Sequence, residues 1–289
     1  FSSKLKSSFS IRYTQGNYDV NAGSSFGNGR DYSPYWNLIN SPMQIPITKF
    51  KNWKTDYWSS PDGYYNDYYY NPYWAVDNFR ENGRSDDILG NMEFNYKLTP
   101  EINVTYRLGA TYSNQTSKST QGALNYSAFA AASGKSVAQS NIPAALIDAS
   151  SYSSRLNSEL FASYRKQFGD FRFEALVGQS YREINSKSMT SSSDNLGIPQ
   201  VFNISVRKEE PDVSEGNSQT KLERYFGKVS VGYNNWAFAE VTGSNDIDSR
   251  LANPYNYDYS KISFFYPGLS VSAVLSEAIK EIKENPYIS

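Results

Sequence analysis

Residues able to do covalent chemistry are sparse in this sequence. Neighbouring carboxylates stand at Asp86-Asp87 and at Glu209-Glu210. A glycosidase needs two carboxyl groups about 5 Å or roughly 6.5–9.5 Å apart across one sugar. Sequence neighbours on extended chain point to opposite sides, so both pairs read as solvated loop residues. The run Asn245-Asp246-Ile247-Asp248-Ser249 offers oxygen ligands at alternate positions, but it lacks the Gly and the distant Glu of an EF-hand loop. It reads as the start of a polar loop. Gly23-Ser24-Ser25-Phe26-Gly27-Asn28-Gly29 is glycine-rich, yet no helical pattern follows it, so it reads as flexible loop and not as a phosphate cradle. The chain has no His and no Cys. That removes disulfides, zinc sites, His bases and Cys or His nucleophiles together. Neither an enzyme nor a bound cofactor is expected.

Binding chemistry is better represented. Trp53, Trp58, Tyr64, Tyr65, Tyr68, Tyr70 and Trp74 crowd one segment, interleaved with Asp56, Asp62, Asn66 and Asp67. Flat aromatic faces cover the apolar faces of sugars or peptide side chains, while adjacent polar groups fix orientation. The same rings could instead pack the loop onto itself or onto a covering partner. Both uses are compatible with the composition, ring by ring.

The elements that must carry this loop are strands. From Ile102, the residues Val104, Tyr106, Leu108, Ala110 and Tyr112 share one parity, and Asn103, Thr105, Arg107 and Thr111 the other. The segment Asn91–Leu98 alternates likewise, and so do Arg155–Arg165, Phe171–Val177, Arg224–Tyr233 and Leu269–Leu275. Charges keep to one parity within each central segment. In a transmembrane barrel that rule is compulsory, because an Arg or Lys facing lipid at mid-bilayer costs roughly 2–4 kcal/mol. A soluble, aromatic-rich carbohydrate-binding β-domain would alternate as well.

Loop lengths separate the two. Tight turns at Thr99–Glu101, Gln167–Asp170 and Asn234-Asn235 alternate with long connections at Thr14–Asp87, Ser113–Ser151, Ser186–Ser218 and Gly243–Lys261. Outer-membrane barrels sort loops this way, with short turns periplasmic and long loops outside. Tyr96, Tyr164, Phe168, Phe171, Tyr233 and Trp236 lie near the tight turns, where an interfacial girdle belongs. Aromatic residues make up 16% of a chain whose mean hydropathy is −0.63, an unusual pairing of much β-forming aromatic residue with little aliphatic bulk. A net charge of −1 leaves no nucleic-acid footprint.

Several phrases resemble SusC/RagA outer-membrane transporters. They are Asn71-Pro72-Tyr73-Trp74, the strand Gly90–Leu98, Tyr225-Phe226-Gly227 through Tyr233, Thr242-Gly243-Ser244-Asn245-Asp246, and Ser263–Ser272 followed by Ser276-Glu277. Two departures stand out: Ser244 where Arg is usual, and the dense Tyr-rich insert Trp53–Trp74. The resemblance implies a ~22-stranded barrel plugged by an N-terminal domain, energised by TonB and capped by a SusD-like surface lipoprotein. Residues 1–289 are then part of the β-barrel domain of a TonB-dependent receptor, with the plug and the remaining strands outside this chain. The expected architecture is all-β: an antiparallel transmembrane β-barrel segment of about eight strands with long extracellular loops. The expected function is outer-membrane uptake of oligosaccharides or peptides.

Overall fold

The computed structural model describes residues 3–22, 25–26, 33–132, 140–253, 255 and 258–275. The glycine-rich loop from Gly23 lies largely outside the described residues, as do Gly134, between β3 and β4 in sequence, and Ser276-Glu277. Eight strands form one sheet in the order β1-β2-β3-β4-β5-β6-β7-β8. They are β1 Leu5–Asn21, β2 Phe79–Lys97, β3 Ile102–Gln121, β4 Ala145–Phe168, β5 Phe171–Ser193, β6 Asp212–Tyr233, β7 Ala237–Asp248 and β8 Ser263–Ala273. Every neighbouring pair is antiparallel, so the chain is an up-and-down meander whose sheet is open at β1 and β8. This is the architecture of an antiparallel barrel segment. No described helix is long and apolar enough to cross a membrane.

The register turns parity within strands into faces of the whole sheet. Met92, Leu108 and Ser158 stand side by side, and the rows next to them align Tyr106 with Leu160, Ala162 with Val177, and Val229 with Val241. These residues share one face with Phe9, Ile11, Leu269 and Val271. Val177, Leu269 and Val271 are 66%, 77% and 77% exposed on it. Arg107, Arg165, Arg172 and Lys228 fall on the opposite face, as the charge parity requires. Along β5 and β6 the apolar stretch carries no charge from its turn end up to Glu183 and Glu223, while on β4 Lys166, opposite Phe173, sits at the turn end with its ammonium over the Phe168 ring.

Rings mark the turn end of the apolar face. Phe171 contacts Tyr233 at 4.8 Å between centroids, Tyr233 contacts Trp236 at 6.0 Å, and Tyr164 contacts Phe173 at 5.9 Å. Further along, Tyr112 stacks on Tyr152 at 6.4 Å. Two of the three turns are tight for reasons of backbone conformation. Gly169 has φ +59°, which a glycine adopts without strain. Asn234 and Asn235 have φ of 44° and 60°, with Trp236 N–H bonded back to Tyr233 O at 3.0 Å. Asn tolerates two successive left-handed positions better than other residues with a Cβ.

The strands run far beyond the limits expected from alternation, which placed Thr14–Asp87, Ser113–Ser151, Ser186–Ser218 and Gly243–Lys261 in loops. β4 has 24 residues and β5 has 23. At ~3.3 Å per residue and a tilt of ~40°, β4 rises about 60 Å, more than twice a ~25 Å apolar band. The true connections are residues 22–78, 122–144, 194–211 and 249–262. The reason is that the strand extensions are polar on both faces, so period two vanishes although the ladder continues. Asp86-Asp87 is accordingly strand and not loop: Asp86 binds Tyr13 and Arg84 on one face, while Asp87 accepts from Ser113 Oγ at 2.5 Å on the other. Glu209 and Glu210 do lie exposed between strands. Asn245–Asp248 also belongs to β7, with Asp246 held by Arg224 and Asp248 by Arg250.

The larger of two buried hydrophobic clusters among the described residues lies where the first long connection meets the strand tips. Ala22, Phe26, Tyr70, Trp74, Ala75, Phe79, Leu124, Ile142 and Ala145 form it. A smaller cluster of Ala144, Leu146 and Leu196 adjoins the third connection.

Candidate functional site

The long connection between β1 and β2 folds into a small cap built on two short helices, α1 Pro34–Ile39 and α2 Pro72–Asn78. Ser33 and Asn71 are their N-caps, each followed by Pro in the first turn, where the missing N–H costs nothing. Asn71 does three jobs at 1% exposure. Its Oδ1 accepts from Tyr73 N–H at 3.0 Å, and its Nδ2 donates to Phe50 O and Ser59 O, both at 2.7 Å. It therefore ties the entry of α2 to two earlier turns of the cap. α2 then runs directly into β2, which anchors the cap to the sheet.

The cap divides the aromatic cluster in two. Tyr64, Tyr70 and Trp74 are buried. Trp74 contacts Tyr70 at 5.1 Å and Phe79 at 5.4 Å, and Tyr64 meets Phe50 edge-on at 5.2 Å. Burial pushes the Tyr64 hydroxyl well above its ordinary value. Tyr65 lies against Tyr64 at 4.7 Å, and Trp53 is partly buried with Nε1 bonded to Asp77 Oδ2 at 2.9 Å. Trp58 and Tyr68 point away from this core and are 68% and 66% exposed. Tyr57, edge-on to Trp58 at 5.2 Å, extends that outer surface. Asp56 and Asp62, interleaved with the rings, serve the backbone of the cap: Asp56 caps a short turn at Trp58, and Asp62 accepts from Ser127 N–H in the second connection at 3.2 Å.

On the polar face of the sheet a hollow of about 760 Å³ opens among Glu93, Arg107, Arg155, Glu159, Arg182 and Arg224. Arg107 bridges Glu93 at 2.7 Å and Glu159 at 3.3 Å, linking β2, β3 and β4. Arg224 pairs with Asp246, and Lys228 with Glu240. Such half-exposed pairs contribute little stability individually; they matter as fixed charge on one wall. Above this charged zone the same face turns to hydroxyls. One row across the sheet reads Thr14, Asp87, Ser113, Ser153, Ser186 and Ser218, and the next includes Gln115, Ser151, Ser188 and Gly216. Single-strand parity could have found each Ser; only the register between strands reveals the pavement. Among the described residues no cluster suited to a metal ion occurs.

No family model and no curated protein matches this sequence. Solved structures do. The RagAB peptide transporter aligns with a TM-score of 0.62 at 14% identity, over 75% of this chain and 22% of that one. The RagAB peptide importer in its "closed-closed" state gives 0.62 at 15%, over 75% and 22%. Its "open-open" state gives 0.58 at 15%, over 70% and 20%. The chain thus spans about a fifth of the length of those chains. At such identity the likeness is one of fold.

Proposed function

We propose that this chain is a wall segment of a SusC/RagA-like, TonB-dependent barrel that imports oligosaccharides or peptides across a bacterial outer membrane. One observation carries the reading: an apolar face whose middle band holds no charge, bounded by rings at its turn end, lies back to back with a face of charges and hydroxyls. That arrangement suits lipid on one side and a watery lumen on the other. The fold shared with the RagAB transporters supports it, as does the order of sequence phrases. The short turns then face the periplasm, and the cap stands outside, above the barrel mouth. A SusD-like lipoprotein is the partner expected over the cap, and TonB acts through the plug. The work is transport, with no covalent step.

Within this reading Trp58, Tyr68 and Tyr57 are the rings open to ligand or lid, while Tyr64, Tyr70 and Trp74 hold the cap together. Insertion into outer-membrane lipid vesicles tests the proposal. The complete protein should enter them from urea, and L108R should weaken entry where R107L does not. Equal tolerance of both substitutions would remove the membrane reading.

A further inference from the structure

β6 carries the longest one-sided stretch of any interior strand. It pairs with β5 over nearly its whole length, from Asp212 opposite Ser192 to Tyr233 opposite Phe171. Its ladder to β7 covers only Leu222–Tyr233. β7 ends at Asp248, and the chain then turns away through Ser249–Leu251. From Asp212 to Lys221, β6 therefore keeps a free edge. No described residue gives its backbone a partner there, except at Lys221, whose N–H donates to Ser249 Oγ at 2.7 Å.

That bond also tells which groups face the gap. In an antiparallel strand the N–H and C=O of one residue point the same way, and alternate residues oppose. Lys221 points toward the β7 side, and Asn234, of the other parity, donates to Asp170 O on the β5 side at 2.9 Å. Val213, Glu215, Asn217 and Gln219 thus aim their backbone groups at the open edge.

The usual defences of an edge are weak here. Pro211 precedes the strand and none interrupts it. Glu215 is drawn back to Lys187 at 3.0 Å, Asn217 to Glu215 at 2.7 Å, and Gln219 to Glu183 at 2.8 Å. Their side chains lie over the sheet and leave the backbone edge clear. On the polar face the strand presents only short side chains at Ser214, Gly216, Ser218 and Thr220.

A row of alternating donors and acceptors at strand spacing has one chemical complement, another polypeptide main chain. A glycan has hydroxyls but no matched amide ladder. We propose that an extended peptide, as ligand, binds this protein by adding as a strand to the β6 edge at Asp212–Lys221. The inference deepens the uptake reading, since it rests on these strand tips standing on the ligand side, and it selects peptide as the substrate class.

The test uses the complete barrel protein in detergent and a fluorescent decapeptide of threonine, serine and valine. Methylating alternate backbone nitrogens of the decapeptide in one register should weaken binding at least tenfold, and in the other register much less. The variants N217P and Q219P, which remove only open-side N–H groups, should reproduce the loss while the β5–β6 ladder stays intact. Equal binding of both methylated peptides and the parent would overturn strand addition. So would a cysteine at Asn217 that crosslinks to a second copy or to a lipoprotein partner in place of the decapeptide. Wild-type protein that inserts into vesicles yet binds no decapeptide would sink the edge site and leave the uptake reading standing; failure to insert would strike the uptake reading itself.

Discussion

Leu108 and Arg107 are adjacent in sequence and opposite in consequence. Leu108 stands among Met92 and Ser158 on the apolar face, whereas Arg107 bridges Glu93 and Glu159 across three strands of the polar one. Replacing Leu108 with Arg puts a charge against lipid at a cost of roughly 2–4 kcal/mol, set by its depth. Replacing Arg107 with Leu removes a half-exposed pair whose net value is about 0–1 kcal/mol. Urea titrations of vesicle-inserted protein should show that asymmetry. Asn71 is the corresponding residue of the cap. N71A would remove a helix cap and leave the Phe50 and Ser59 carbonyls without their donor. Together these are worth about 2–4 kcal/mol of local stability. Proteolysis should then cut within residues 33–78 while the strands stay protected; a cap as resistant as wild type would show that Asn71 is dispensable.

At the scale of elements, strands and turns were legible wherever one face met an apolar phase, as at Ile102–Tyr112 and Arg224–Tyr233. They were illegible where both faces are polar, as at Asp212–Lys221, where Ser214, Gly216 and Ser218 alternate with Glu215, Asn217 and Gln219. Alternation reports burial contrast, and a ladder needs none. The cap was legible only as a crowd of rings, because its fold rests on Asn71 and Asp62 satisfying backbone groups distant in sequence, at Phe50, Ser59 and Ser127. The turn after β2 makes a prediction of its own. Glu101 accepts from its own backbone N–H and sits beside the Thr99 hydroxyl, which together hold its carboxyl below the ordinary glutamate range. A depressed folded value means the stabilisation is full above about pH 4.3 and fades as pH falls through the folded value. The protection factor of the Ile102 amide, whose N–H donates to Thr99 Oγ1 at 3.0 Å, should fall below that range in wild type and not in E101Q. Orientation is testable with the same hairpin. A cysteine at Pro100 should resist an impermeant thiol reagent on intact cells, and one at Tyr68 should react; the opposite pattern would invert the topology.

For the whole molecule, the eight strands form one sheet open at β1 and β8, and on the proposed reading its two faces belong to a larger barrel wall. The division of labour among the rings follows from that wall. The cap is seated on the strand tips by Trp74, Tyr70 and Phe79. Trp58 and Tyr68 contribute little to it, being exposed and outside the core. An exposed ring costs nothing to fold and is available for stacking, at about 0.5–1.5 kcal/mol per ring beyond the area it covers. W58A and Y68A combined should therefore weaken ligand uptake, or retention of the lipoprotein partner, by roughly 5–150-fold. Heat-resistant migration of the barrel on gels and the amount inserted in the outer membrane should not change. W74A should do the reverse, lowering the amount of folded protein through loss of a fully buried ring, by about 3–5 kcal/mol of local stability. If W58A and Y68A instead reduced insertion, those rings would belong to folding, and the outer surface of the cap would lose its claim to contact ligand.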